Sequence, residues 1–275
     1  MSYLTAVLLG LVQGIAVFLP ISGAGHIALL QNIFQVGEVD LLFETLLHLG
    51  SLIAVFMVYR RDIRAVVRGG LGLVGIGRDK GRTNKRNADR RRMAVFIIIG
   101  SLPLLLVLLI KNAVAVMPDN TPLVSLMLML TGTILYLSDR NAKCIRGLRE
   151  VSVMQAFLVG AAQIVAVFPG ISRTGTTISA GLLCGFKRNF AVYFSFLLCV
   201  PAAIGAMIVS LIGAAQAGIS IAMLPKYLCG MLMSVISGYF SIRFMHYLAA
   251  RSNFAGCSYY CWGAGLIALM LSLVA

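Results

Sequence analysis

Arg173 stands between two apolar runs, where a permanently charged guanidinium is costly unless it faces a cavity or an anion. Ser172, Thr174, Thr176 and Thr177 surround it, and a helix opening at Gly175 adds backbone N–H donors aimed the same way. A planar fork, several hydroxyls and a helix N-terminus together suit a phosphate group. The plainer alternative has Arg173 tying helix carbonyls together. His26 closes the segment Ser22-Gly23-Ala24-Gly25-His26, where an imidazole could shuttle protons or attack phosphorus rather than simply pack. Glu44 and His48 lie one helical turn apart and suit either a metal or an anchoring contact. His246, beside Arg243, reads as interfacial.

The elements that must position these groups are duplicated. Residues 6–25 and 156–175 match without a gap at a constant offset of 150, sharing Ala6/Ala156, Gly10/Gly160, Gln13/Gln163, Val17/Val167, Phe18/Phe168, Ser22/Ser172 and Gly25/Gly175 among others. Each copy is an apolar stretch broken by Pro and Gly, at residues 18–26 and 168–176, then a second short apolar run at about 25–36 and 175–186. Half-helix, turn, half-helix describes a re-entrant hairpin, tolerated at membrane depth where protein or a polar cavity satisfies the broken backbone. Paired breaks of this kind point to a binding site at the midplane, with Arg173 and His26 brought together if the hairpins meet.

With 60% hydrophobic and 12% charged residues, the chain cannot assemble a water-soluble surface, and a polytopic membrane protein is expected. Met1 to Leu11 lacks a basic n-region, so no cleaved leader is expected. Twelve Lys or Arg fall between Arg60 and Arg92 against three Asp, which reads as a cytoplasmic loop in contact with lipid headgroups and not as a nucleic-acid surface. The six cysteines show no CxxC spacing, and neither structural zinc nor a disulfide framework is expected.

Full-length apolar runs occur at about 41–60, 93–111, 123–138, 190–212, 226–249 and 255–275, each near the ~20 residues a helix needs to cross the hydrocarbon. With the basic loop inside, charge at Arg140, Lys143, Arg146 and Arg149 also falls inside, and three crossings separate the two breaks. An odd number inverts the copies. The expectation is an all-α polytopic membrane protein, an inverted-topology repeat with two re-entrant helical hairpins and about six transmembrane helices. Residues 1–275 form a single integral membrane domain, with repeat one at about 1–138, repeat two at about 150–275 and the basic cytoplasmic loop at 60–92. Pro103 and Pro201 are expected to kink their spans. Gly10-x-x-x-Gly14 and Gly181-x-x-x-Gly185 allow close helix packing.

The segments Gly10-Leu11-Val12-Gln13-Gly14 to His26, Phe43-Glu44 to Leu49-Gly50-Ser51, and Pro169-Gly170-Ile171-Ser172-Arg173-Thr174-Gly175-Thr176-Thr177 resemble the signature segments of the undecaprenyl-pyrophosphate phosphatase family, the bacitracin-resistance integral membrane phosphatases. The resemblance covers nearly the whole chain. It implies an inverted repeat with two re-entrant hairpins and removal of the terminal phosphate from undecaprenyl pyrophosphate, recycling the lipid carrier of cell-wall synthesis. It places catalysis on His26 and Arg173, and the reading of the site adds Ser22, Ser172, Thr174, Gly175, Thr176 and Thr177 as phosphate-binding residues, with Gln13, Glu44 and His48 in support. A divalent cation, Mg²⁺ or Ca²⁺, is expected to arrive with the pyrophosphate. The expected partners are a polyprenyl pyrophosphate and membrane lipids, with a homodimer as the assembly considered and no nucleic acid, in a bacterial inner or plasma membrane. The chain departs from the family at Val17, where members carry a glutamate, and at Gly23, where they carry the serine proposed as nucleophile or positioning group. Those departures keep two further readings open, a lipid-phosphate carrier or flippase and a non-catalytic lipid-phosphate binder.

Overall fold

Side-chain caps open several of the helices. Ser2 accepts from the backbone N–H of Thr5 to start α1 (Tyr3–Phe18), and Ser152 with Gln155 forms a reciprocal capping box at the start of α7 (Val153–Val165). Each helix runs into a break and is followed by a shorter helix, α2 (Gly23–Phe34) and α8 (Arg173–Leu183). The computed structural model describes residues 1–34, 40–73, 75, 85–114, 117–217, 221–251 and 253–274. Glu38 and the centre of the basic segment, residues 76–84, lie outside them.

Six helices are long and apolar enough to cross a membrane. They are α3 (Leu41–Leu73), the span Lys85–Ile110 built from α4 (Lys85–Ser101), a 3₁₀ turn (Leu102–Leu106) and the start of α5 (Val107–Val114), then α6 (Thr121–Asn141), α9 (Arg188–Ala217), α10 (Leu224–Ala250) and α11 (Ala255–Val274). The protein is an all-helical multi-pass membrane protein. Each expected apolar run coincides with one of these helices. Pro103 converts its span to 3₁₀ geometry, whereas Pro201 sits within an unbroken α9. α3 continues well past its apolar run, kinking at Tyr59 where the basic residues begin, so much of the expected loop is helical. Arginines tolerate this by returning their heads to backbone: Arg64 donates to the carbonyl of Arg60, and Arg92 donates to Val151 while lying over the ring of Phe96.

The two halves pack by the same scheme. α1 packs on α10 as α7 packs on α4, and α2 on α11 as α8 on α6, while α3 meets α9 and α6 meets α11 across the pseudo-axis. Gly10 of α1 abuts the backbone of Gly230, and Gly160 of α7 abuts that of Gly100, so the equivalent glycines make equivalent close approaches. The breaks are braced alike too. Thr131 of α6 donates to the carbonyl of Gly170 at 2.8 Å, and Cys261 of α11 donates to that of Pro20 at 3.7 Å. Three of the six spanning helices separate the breaks, the odd count inverted copies require. Gly10 and Gly14 both serve packing, as expected. Gly185 does not: it has φ +84° and ends α8 in a Schellman turn, with Gly185 N–H on Leu182 and Phe186 N–H on Gly181.

Candidate active site

The breaks meet each other. A Cβ on Gly25 would lie 2.8 Å from the Cα of Gly170, and the Thr174 hydroxyl crosses from the second break to donate to the carbonyl of Val17 at 2.7 Å. Gly170 has φ +96° and backs onto α6, so both its dihedral and its space require glycine. Its counterpart turn is built differently: Ser22 itself takes φ +68°, a left-handed conformation for a residue with a Cβ. Ser22 and Ser172 nevertheless cap equivalent helices, accepting from Gly25 N–H at 3.3 Å and Gly175 N–H at 3.1 Å.

Between the breaks lies a cavity of about 330 Å³. Its polar wall includes Gln13, Ser22, Glu44, His48, Ser172 and Arg173, and Val17, Gly23 and Ala24 form part of the rest. Helix register explains the membership on α2: Gly23, Ala24, Ile27, Ala28 and Gln31 recur at three- and four-residue spacing and share one face. Arg173 opens α8 with a half-buried side chain, and its Nη2 lies 2.8 Å from the Cys199 sulfur on α9. Gln13 is 2% exposed. A Cβ on Gly23 would meet the Gln13 Oε1 at 3.3 Å, a tight but workable contact.

The structure therefore gathers Gln13, Ser22, Glu44, His48, Ser172 and Arg173 into one cavity wall, and it places the remaining expected residues elsewhere. Thr174 makes the bond between the two breaks. Thr176 and Thr177 donate to the Arg173 carbonyl, and the Thr177 hydroxyl also bonds Ser195 at 2.6 Å. Gly175 N–H is held by Ser172. Buried hydroxyls in a low-dielectric interior satisfy the nearest carbonyl, and none of these threonines is part of the cavity wall. His26 is absent from the cavity wall. Its Nδ1–H donates to the Ser22 carbonyl at 2.8 Å, and its Nε2 accepts from the Tyr260 hydroxyl at 2.8 Å, with the rings stacked. One helical step, ~100°, separates it from Ile27 on the wall. His246 bonds Tyr59 between α10 and α3.

Sequence reasoning missed Cys199 and Tyr260. Each lies far along the chain from its partner, 26 residues from Arg173 and 234 from His26, inside an ordinary apolar run.

Residues 6–267 match the sequence profile of the family described as bacitracin resistance protein BacA. The chain is 36% identical to undecaprenyl-diphosphatase of Methanosphaera stadtmanae over 275 residues, covering 98% of each chain. It is 35% identical to that of Desulfosudis oleivorans, over 99% of this chain and all of the relative, and 33% identical to that of Alkaliphilus metalliredigens over the full length of both. The chain belongs to the bacitracin resistance protein BacA family.

Proposed function

We propose that this protein is an undecaprenyl-diphosphatase of the cell membrane, removing the terminal phosphate of undecaprenyl pyrophosphate to leave the monophosphate carrier. The observation that carries the reading is Arg173 opening into a cavity walled by both breaks, with Ser22 and Ser172 beside it. The full-length relatives named as diphosphatases support it. Phosphoryl transfer depends mainly on positioning and on charge stabilisation. A bidentate guanidinium suits the oxygens of the transferred group, and the two serine hydroxyls can orient them.

His26 acts as nucleophile or as base once its Nε2 leaves Tyr260. In the observed rotamer that nitrogen's lone pair is occupied by a hydroxyl, while Nδ1–H fixes the Ser22 carbonyl beside the cavity. A divalent cation, Mg²⁺ or Ca²⁺, would arrive on the pyrophosphate itself, with the Glu44 carboxylate and the Gln13 amide oxygen as the oxygen donors that the cavity wall offers it. Such a cation neutralises phosphate charge when bound.

The test is phosphate release from a long-chain isoprenyl pyrophosphate by the purified protein with Mg²⁺ or Ca²⁺, beside His26→Ala and Arg173→Ala. Release well above both variants is expected. Rates equal to theirs would remove the hydrolase reading, and release appearing only in Val17→Glu with Gly23→Ser would mark the native site as degenerate.

A further inference from the structure

Arg173 is the first residue of α8, where a cation opposes the positive end of the helix dipole. No acid beside it offsets that cost. The last of the nine Asp and Glu residues is Glu150, so α7 to α11 carry none, and the ion pairs among the described residues join Arg149 to Asp89 and Arg188 to Asp139. Among those residues the guanidinium has one side-chain partner, on α9, where its Nη2 donates to the Cys199 sulfur at 2.8 Å. Cys199 is itself 8% exposed and packs with Leu52 of α3 and Ala203 of α9.

That contact is one rung of a regular seam. Taking α8 one turn at a time, Arg173 meets Cys199, the Thr177 hydroxyl meets that of Ser195 at 2.6 Å, and a Cβ on Gly181 would lie 3.2 Å from the Cβ of Ala191. Each step of four residues forward on α8 is a step of four back on α9, the register of two antiparallel helices packed along one face. The hydroxyl pair and the small pair fix how far α9 can slide, and Arg188 ties the start of α9 to Asp139 of α6. The fold therefore sets the height at which the Cys199 sulfur faces α8.

We propose that Cys199 is a positioning residue for phosphate binding, holding the Arg173 guanidinium in its binding orientation before the substrate arrives. A thiol is a weak and neutral acceptor, so it fixes one N–H of the fork without cancelling its charge, and the other N–H groups stay free for phosphate oxygens. A carboxylate at this position would grip the guanidinium more strongly and neutralise it, leaving no net charge for the anion. Ordering a long side chain in advance removes part of that cost from the binding step. The inference rests on the diphosphatase reading for the identity of the anion.

The experiment reads binding first and turnover second. A non-hydrolysable methylene-diphosphonate analogue of farnesyl pyrophosphate is titrated calorimetrically into the full chain in detergent, and steady-state phosphate release from a long-chain isoprenyl pyrophosphate is followed in parallel. Cys199→Ala should weaken the analogue about three- to tenfold and raise KM by the same factor, with kcat within about twofold of wild type. Cys199→Ser, which keeps an acceptor, should restore most of the affinity. Cys199→Asp should weaken the analogue at least about tenfold, because the new carboxylate captures Arg173 and repels the phosphonates. Wild-type affinity in the alanine or the aspartate variant would overturn the proposal. A serine variant as weak as the alanine one would assign the loss to packing and overturn it equally. Should the aspartate variant fail to fold, the alanine and serine pair decides alone. The two readings fail separately: the expected analogue series without phosphate release removes the hydrolase reading only, whereas release by the wild type with analogue affinity unchanged in Cys199→Ala removes the positioning role only.

Discussion

His26 was readable as a candidate from its place after the first break, but not its orientation. Its facing is set by Tyr260, which only tertiary packing brings near, and one step around α2 decides whether a side chain enters the cavity or leaves it. If His26 works as nucleophile or base, the Tyr260 bond holds part of the population in an inactive arrangement, so breaking it should raise the rate. Tyr260→Phe is therefore expected to keep or increase kcat in the phosphate-release assay, while His26→Ala loses about 10²- to 10⁴-fold. An equal loss in both variants would show instead that the pair acts as a unit where it stands. Ser22 gives a second test. Its hydroxyl caps α2 while its backbone sits at φ +68°, so Ser22→Ala removes the cap and keeps the strain, at about 1 kcal/mol. Ser22→Gly removes both and should unfold closer to wild type in a thermal melt. A glycine variant less stable than the alanine one would contradict the strain argument.

At the scale of elements, much was legible, because membrane helices are set by apolar length and broken by Pro and Gly. The six spans and the ends of both broken pairs fall close to where the sequence puts them. Two features were not legible for physical reasons. The basic residues after Tyr59 looked like a loop because helix formation outside the hydrocarbon leaves no hydrophobic signal. Nor were the hydrogen-bond partners of Thr174, Thr176 and Thr177 legible, because a buried hydroxyl bonds to whichever carbonyl the fold puts in reach. Glycine approaches offer the sharpest element-scale prediction. Gly10 and Gly160 each seat a helix directly on another backbone, so Gly10→Leu or Gly160→Leu must separate α1 from α10 or α7 from α4. Overpacking of this kind costs about 1–3 kcal/mol or more, read as a lowered melting temperature in detergent. Because the approaches are equivalent, the two variants should lose similar stability. A change in only one would show that the halves do not share the load.

For the molecule as a whole, the repeat explains how both breaks come to one place: equivalent packing delivers them to the pseudo-axis, after which each half can diverge at Gly23 against Arg173 and His26 against Thr176. The full-length relatives named undecaprenyl-diphosphatase add to the Arg173 cavity in favouring hydrolysis over carriage of the lipid. Asp139, at the end of α6, is one of the groups that tie the second half to the first away from the axis. Its Oδ1 accepts from Arg188 Nε at 2.8 Å, its carbonyl from Arg188 Nη2, and its Oδ2 from the Phe254 N–H at 3.1 Å, joining the end of α6 to the starts of α9 and α11. The side chains are only 13% and 21% exposed, so removing the acid leaves a guanidinium with little water to replace it. Asp139→Ala should cost about 3 kcal/mol in detergent unfolding, and Asp139→Leu with Arg188→Met should recover most of it, since a matched apolar pair carries no stranded charge. If the single variant melts with the wild type, this three-helix clamp does not hold the second half to α6.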